Sequence, residues 1–114
     1  MNNSVSVMCI DDSNKPSIIP QDKWPVEGEL YNISHIYVMR NEKQDGIKGC
    51  ELVEFNIEQY LPYNCYRLDR FAVSVDDIEK LIQMAIDASK LNGINIDIDK
   101  LTKSVEQMQT LEHV

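Results

Sequence analysis

A mainly β fold with an α-helical extension is what this sequence predicts, and three observations predict it. Up to residue 74 the apolar residues come in short β-prone runs separated by turn residues, and from residue 75 they recur at helical spacing. A long Pro- and Gly-bearing segment separates the first two runs, whereas a single Asp45-Gly46 reversal joins the next two. The chain has 114 residues with 43% apolar content, enough to enclose one core and too little for two independent ones. The predicted organisation is a β part over 4–74 and a helical extension over 75–114, packed on the first part or on a partner.

The first strand is Val5-Ser6-Val7-Met8-Cys9-Ile10, which meets the turn Asp11-Asp12-Ser13-Asn14-Lys15-Pro16 and then a wandering loop through Trp24-Pro25. The second strand runs from Glu29 to Met39. Alternation puts Tyr31, Ile33, His35 and Tyr37 on one face and Leu30, Ile36 and Val38 on the other, and it breaks after Ser34, where a bulge would shift which face is inside. Asn41 to Gly46 is a polar tip, and Ile47 to Phe55 is the hairpin partner. From Asn56 to Arg67 a loop with one helical turn is expected, because Pro62 also biases Leu61 away from helix. Arg70-Phe71-Ala72-Val73 is a short last strand. Four or five strands with a long early loop, one tight hairpin and a short final strand fit an SH3-like small β-barrel, with Glu27-Gly28-Glu29 where the long loop enters the second strand.

The pattern Val7-Met8-Cys9-Ile10-Asp11-Asp12-Ser13, then Ile19-Pro20, Trp24, Gly28, Tyr31, the Gly46–Phe55 hairpin and Tyr66-Arg67-Leu68-Asp69-Arg70-Phe71 resembles a group of small uncharacterised bacterial and phage-borne proteins. The resemblance covers residues 5 to 74. It implies their SH3-like barrel and a phage or mobile-element origin, and it implies no activity.

Ser74 offers an N-cap hydroxyl, and Asp76 and Asp77 place negative charge at the positive end of the following helix. Ile78, Leu81, Ile82, Ala85 and Ile86 form an apolar stripe that Ser89 extends, and Gly93 is placed to end the helix. The stripe is expected to pack on the barrel or on a second helix; the alternative is a homodimer through the 75–91 helix. A second helix capped by Asp97 or Asp99 presents Leu101, Val105, Met108 and Leu111, while Ile94, Ile96 and Ile98 alternate as a short edge strand would. Disorder is expected from Thr110 to Val114.

Net charge is −8, divided equally between 1–74 and 75–114. Such a surface repels phosphate backbones over a Debye length of about 8 Å, which sets nucleic acid aside as the first partner class. The alternative nucleic-acid reading would use Arg40, Lys43, Lys48, Arg67 and Arg70 with stacking tyrosines. No basic residue precedes the first apolar run, and that run is far shorter than the ~20 residues of a membrane span, so a cytoplasmic protein without a membrane partner is expected. Cys9, Cys50 and Cys65 lack CxxC spacing and read as small apolar fillers. Asp11-Asp12 reads as a turn and Asp97-Ile98-Asp99 as a helix cap. His35 and His113 are the two imidazoles, and neither GxSxG, HExxH nor a Gly-rich phosphate loop is present. No catalytic residue, metal ligand or cofactor is assigned, and no enzyme is expected.

Aromatics supply the candidate site. Trp24, Tyr31, Tyr37, Tyr60, Tyr63 and Tyr66 fall in loops and a strand that meet on one side of such a barrel, with Arg67 and Arg70 as a positive rim. Amphipathic rings of this kind make peptide-contact surfaces, so the expected function is a non-catalytic protein- or peptide-binding module. The competing reading is that these rings cover the core edge, with Trp24 capping one end.

Overall fold

The computed structural model describes residues 4–40, 45–91 and 98–111. Five strands, β1 (Val5–Cys9), β2 (Leu30–Arg40), β3 (Asp45–Leu52), β4 (Phe71–Ser74) and β5 (Gln109–Leu111), form one sheet of order β3-β2-β1-β4-β5. Every neighbouring pair is antiparallel except β4 and β5, so the sheet is mixed. Two helices, α1 (Ile78–Leu91) and α2 (Ile98–Glu106), complete a mixed α/β fold in which the sheet dominates. The strand pairings among the described residues do not close the sheet into a ring.

Alternation explains β1: Val5, Val7 and Cys9 are buried while Ser6 faces solvent. In β2 the buried positions are Tyr31 and Ile33, then Ile36 and Val38, so the inward parity switches at mid-strand. The register on β3 shifts between Ile33 and His35, where the sequence calls for a bulge, and again between Tyr37 and Val38. The bulge lets one long strand bury apolar side chains along both halves.

Chain reach shows that the sheet curls. Cys50 and Tyr66 exchange two backbone hydrogen bonds of 2.8 Å. A residue's N–H and C=O leave a strand on the same side, so Tyr66 lies on the edge of β3 away from β2. Five residues later, Phe71 pairs with Cys9 of β1. In a flat sheet those positions would stand four strand spacings apart, about 19 Å. Five residues that include the 3-10 turn Leu68–Arg70 span only about 13 Å. Curling brings β4 back toward β3, and the helices pack inside: α1 on β2, and α2 on α1 and β3. Leu81, Ala85, Leu101, Val105 and Met108 join Val7, Ile33, Leu52, Phe71 and Val73 in one apolar cluster.

Several expectations change in detail. Arg70 belongs to the 3-10 turn and the last strand of the β part begins at Phe71; the helical turn expected within 56–67 falls at Leu68–Arg70. The Ser74 hydroxyl does accept from Asp76 N at 3.3 Å, opening a 3-10 turn, Val75–Asp77, that leads into α1. Leu81, Ala85 and Ser89 are buried inside the chain, so that part of the stripe is not open to a second copy. Ile98 opens α2 and does not extend a strand, while Gly93, Ile94, Ile96 and Asp97 lie outside the described residues. Thr110 and Leu111 are ordered in β5, contrary to the expected disorder and to the helical placement of Leu111. The reason is the edge of β4, whose backbone groups would otherwise face the surface unpaired and which takes Gln109, Thr110 and Leu111 in register.

Candidate functional site

Arg70 organises the long β1–β2 loop. The residue is 5% exposed, a position that costs several kcal/mol unless the charge is fully engaged. One guanidinium nitrogen, Nη1, donates to the carbonyls of Asp11 (3.1 Å) and Ser13 (2.7 Å) and lies 3.7 Å from Asp11 Oδ1. The guanidinium carbon lies over the Trp24 ring, 4.7 Å from its centre, so the same group that donates to the carbonyls also makes a cation–π contact with the indole. The Arg70 carbonyl in turn accepts from Ile10 N at 2.8 Å and Asp11 N at 3.3 Å.

The two adjacent acids serve this loop. Asp11 accepts from the Ser13 hydroxyl and from Ser13 N (2.9 Å), and these bonds, with Arg70 and Arg67 nearby, hold its carboxyl below the usual carboxylate range. Asp12 Oδ2 accepts from Glu27 N at 3.0 Å, and the Asp12 carbonyl accepts from Trp24 Nε1 at 2.7 Å. Among the described residues no group of three or more His, Cys, Asp or Glu is placed to hold a metal.

Below the loop runs a chain of rings. Trp24 meets Tyr66 edge-on at 5.9 Å, Tyr66 meets Phe55 at 6.5 Å, and Phe55 meets Tyr31 at 5.4 Å. The Tyr66 hydroxyl donates to the Lys23 carbonyl at 2.7 Å, and burial pushes its pKa up. The Tyr31 hydroxyl accepts from Val26 N at 2.8 Å. Trp24, Tyr31, Tyr66 and Arg70 are therefore buried parts of the loop's foundation, not a surface or its rim. The physical reason is that each long side chain finds a backbone partner for its polar end, so its apolar body can be buried.

The other four residues of the expected site are half-buried or exposed. Tyr37 is half-buried, and its hydroxyl donates to Glu51 Oε2 at 2.6 Å, which raises its pKa. Tyr60 is half-buried against the core and its hydroxyl accepts from Gln59 Nε2 at 2.7 Å. Tyr63 is 40% exposed, and Arg67 pairs with Asp69 at 3.3 Å and Asp11 at 3.7 Å. His35 faces solvent, with Nδ1 3.2 Å from Ser34 Oγ and 3.9 Å from Glu51 Oε2. Cys9 and Cys50 are buried and their thiols are pushed up by burial, while Cys65 is half-buried against Gly49.

No protein-family model, curated protein or solved structure matches this chain.

The surface that sequence reasoning missed is aliphatic. Among the described residues the exposed large apolar side chains are Ile18, Val26, Leu30, Val53, Leu61, Tyr63, Val75 and Ile98. Six of these eight lie in the segments 10–29 and 53–65 or at Leu30, the first residue of β2. Those segments are bound together by the Trp24–Tyr66 and Tyr31–Phe55 contacts and by the Tyr66 hydroxyl. Phe55, read from sequence as the end of a strand, is the ring that connects them. The available sequence signal was the run of non-alternating apolar residues flanking turns, which periodicity does not assign to a face.

Proposed function

We propose that the protein is a non-catalytic protein- or peptide-binding module whose contact surface is the pair of loops 10–29 and 53–65. The observation that carries this reading is the concentration of exposed apolar side chains on two loops that meet over a buried set of rings. Apolar groups gathered in water on neighbouring loops mark contact surfaces more often than singly scattered ones do. The finer fold reading belongs to the same proposal: an SH3-like barrel, supported by the long first loop, the β2–β3 hairpin, the 3-10 turn before β4 and the Cys50–Tyr66 bridge. A phage or mobile-element origin is supported by the resemblance of residues 5–74. A cytoplasmic setting is supported by three cysteines that form no disulfide.

Nucleic-acid association is the weaker alternative. The charge of −8 opposes it, Arg70 is buried, and Arg67 is paired with acids. Lys43 and the side chains of Arg40 and Lys48 lie outside the described residues.

Affinity capture from the native cell with the wild-type chain and with a Leu61→Ser/Tyr63→Ser variant tests the module. A protein held by the wild type and lost by the variant is expected. A protein held equally by both removes the tip of the 53–65 loop from the contact, and salt-sensitive retention of single-stranded nucleic acid without any protein replaces the reading with its alternative.

A further inference from the structure

Burial of Leu81, Ala85 and Ser89 fixes which way α1 faces and leaves the side next to them half open. Ile78, Ile82 and Ile86 stand at i, i+4 and i+8 along that side, each half-buried. Val75, 55% exposed in the turn before the helix, prolongs their line. Ile78 and Ile82 rest partly on the buried cluster, whereas Ile86 belongs neither to that cluster nor to the side chains packed on it. Ile86 thus lacks the core contact that its two neighbours have.

The charges of α1 fall into two pairs. Lys80 donates to the Ser4 carbonyl at 3.1 Å, and Asp87 accepts from Gln83 Nε2 at 2.9 Å. Glu79 and Lys90 are exposed, and neither makes a side-chain hydrogen bond or ion pair among the described residues. Glu79 lies about two turns before Ile86 and Lys90 about one turn after it, so all three share a side of the helix. The four charges sum to zero, in a chain whose net charge is −8.

We propose that α1 pairs with α1 of a second copy, antiparallel across a two-fold axis between residues 84 and 85. That axis sets Ile82 of each copy beside Ile86 of the other, and Glu79 of each opposite Lys90 of the other, at both ends of the contact. An acid before the apolar centre and a base after it make a side that is complementary to itself when reversed, which selects a second copy over an unrelated chain. Repulsion between two acidic chains is least here, because α1 is neutral and charges beyond a Debye length of about 8 Å are screened. The face is small, a few half-buried side chains against the ~800 Å² per partner of a stable contact, so the dimer is a weak one in exchange with the monomer. The contact uses no residue of the loops 10–29 and 53–65 and is independent of the binding-module reading.

Sedimentation velocity of the full chain, from micromolar concentrations to about 1 mM, tests the pairing. A concentration-dependent shift from 13.2 kDa toward twice that mass is expected. Ile86→Ser should weaken the association about tenfold, the scale of a lost anchor residue. Glu79→Lys and Lys90→Glu should each weaken it several-fold by setting like charges opposite one another. The combined Glu79→Lys/Lys90→Glu chain should recover most of the loss, which a merely destabilised fold would not do. Leu61→Ser/Tyr63→Ser should leave the dimer unchanged. Because Glu79 and Lys90 are exposed, the charge variants keep the fold and decide the matter even where Ile86→Ser disturbs it. A dimer indifferent to Ile86→Ser, a charge swap no better than the single changes, or a dimer lost in Leu61→Ser/Tyr63→Ser overturns the proposal. A monomer at every concentration overturns it too, and leaves the binding-module reading as it was.

Discussion

The β1–β2 connection and the β3–β4 connection are both long and irregular, yet they are held in different ways. In the first, the polar ends of Arg70, Trp24, Tyr31 and Tyr66 each reach a backbone group of the loop, and Ile19, Trp24 and Pro25 are buried under it. In the second, the middle of the segment makes mostly local bonds: Glu58 N to Asn56 Oδ1, Tyr60 N to the Ile57 carbonyl, and Tyr63 N to the Tyr60 carbonyl. Ile57 is its buried anchor, Cys50–Tyr66 is its exit, and its tip exposes Leu61 at 71%. A connection's length says little about its order; what counts is whether distant side chains arrive to satisfy its backbone.

Trp24→Ala should break the contrast most completely. Removing a buried indole that also donates to Asp12 is expected to cost about 3–5 kcal/mol, leaving the first loop no better held than the second. Urea denaturation would show it, and a loss under about 1 kcal/mol would mean the loop has another foundation.

Arg70→Met comes next, at about 2–3 kcal/mol, because two loop carbonyls lose a charged donor while half-exposed Asp11 is eased by solvent. Arg70→Lys should rescue only part of this, since an ammonium can donate to the carbonyls but lacks the delocalised guanidinium that at the same time lies over the indole.

Gly49→Ala addresses the second connection. A Cβ there would stand 2.5 Å from the Tyr66 carbonyl oxygen and 2.7 Å from Cys65 Sγ, so the bridge must give way at about 1–3 kcal/mol. Faster amide exchange at Cys50 and Tyr66 in this variant, with the first loop unchanged, would sharpen the distinction; loosening of both would erase it.

Acid should act on the first loop before the second. The Asp11 carboxyl has a lowered pKa, so its contribution is complete above the unfolded value of about 3.9 and is lost as pH falls through the folded value. The denaturation midpoint should drop below pH ~4, and the drop should be smaller in Asp11→Asn. The smallest effect belongs to Leu61→Ser/Tyr63→Ser, within about 0.5 kcal/mol, because these side chains are already in water. A larger loss would show that the second loop's tip supports the fold.

Local pattern made several elements legible. Strand alternation in β1, the break after Ser34 and the Ser74 hydroxyl each depend on residues near one another in sequence, whereas Asp45 and Gly46, read as the reversal, belong to β3 and pair with Arg40 and Met39, and 41–44 lie outside the described residues. The α1 stripe was equally readable, since helical spacing alone selects the face that carries Leu81 and Ala85. The aromatic site was not. Tyr, Trp and Arg have long apolar bodies with polar ends, and the same residue is a surface contact or a core member according to whether a backbone partner reaches that end.

By itself, therefore, the sequence determined the two kinds of periodicity, the position of the bulge and the helix face that meets the core, all set by backbone geometry within a few residues. Only the tertiary structure decided that Trp24, Tyr31, Tyr66 and Arg70 go inside while Leu30, Val53 and Leu61 remain outside, and that Gln109–Leu111 completes the sheet. Those outcomes depend on groups far apart in the chain: the carbonyls of Asp11, Ser13 and Lys23 that accept from Arg70 and Tyr66, and the β4 edge that accepts β5. Burial of a polar-ended side chain is set by the partner that meets it, and residue order does not encode that partner locally.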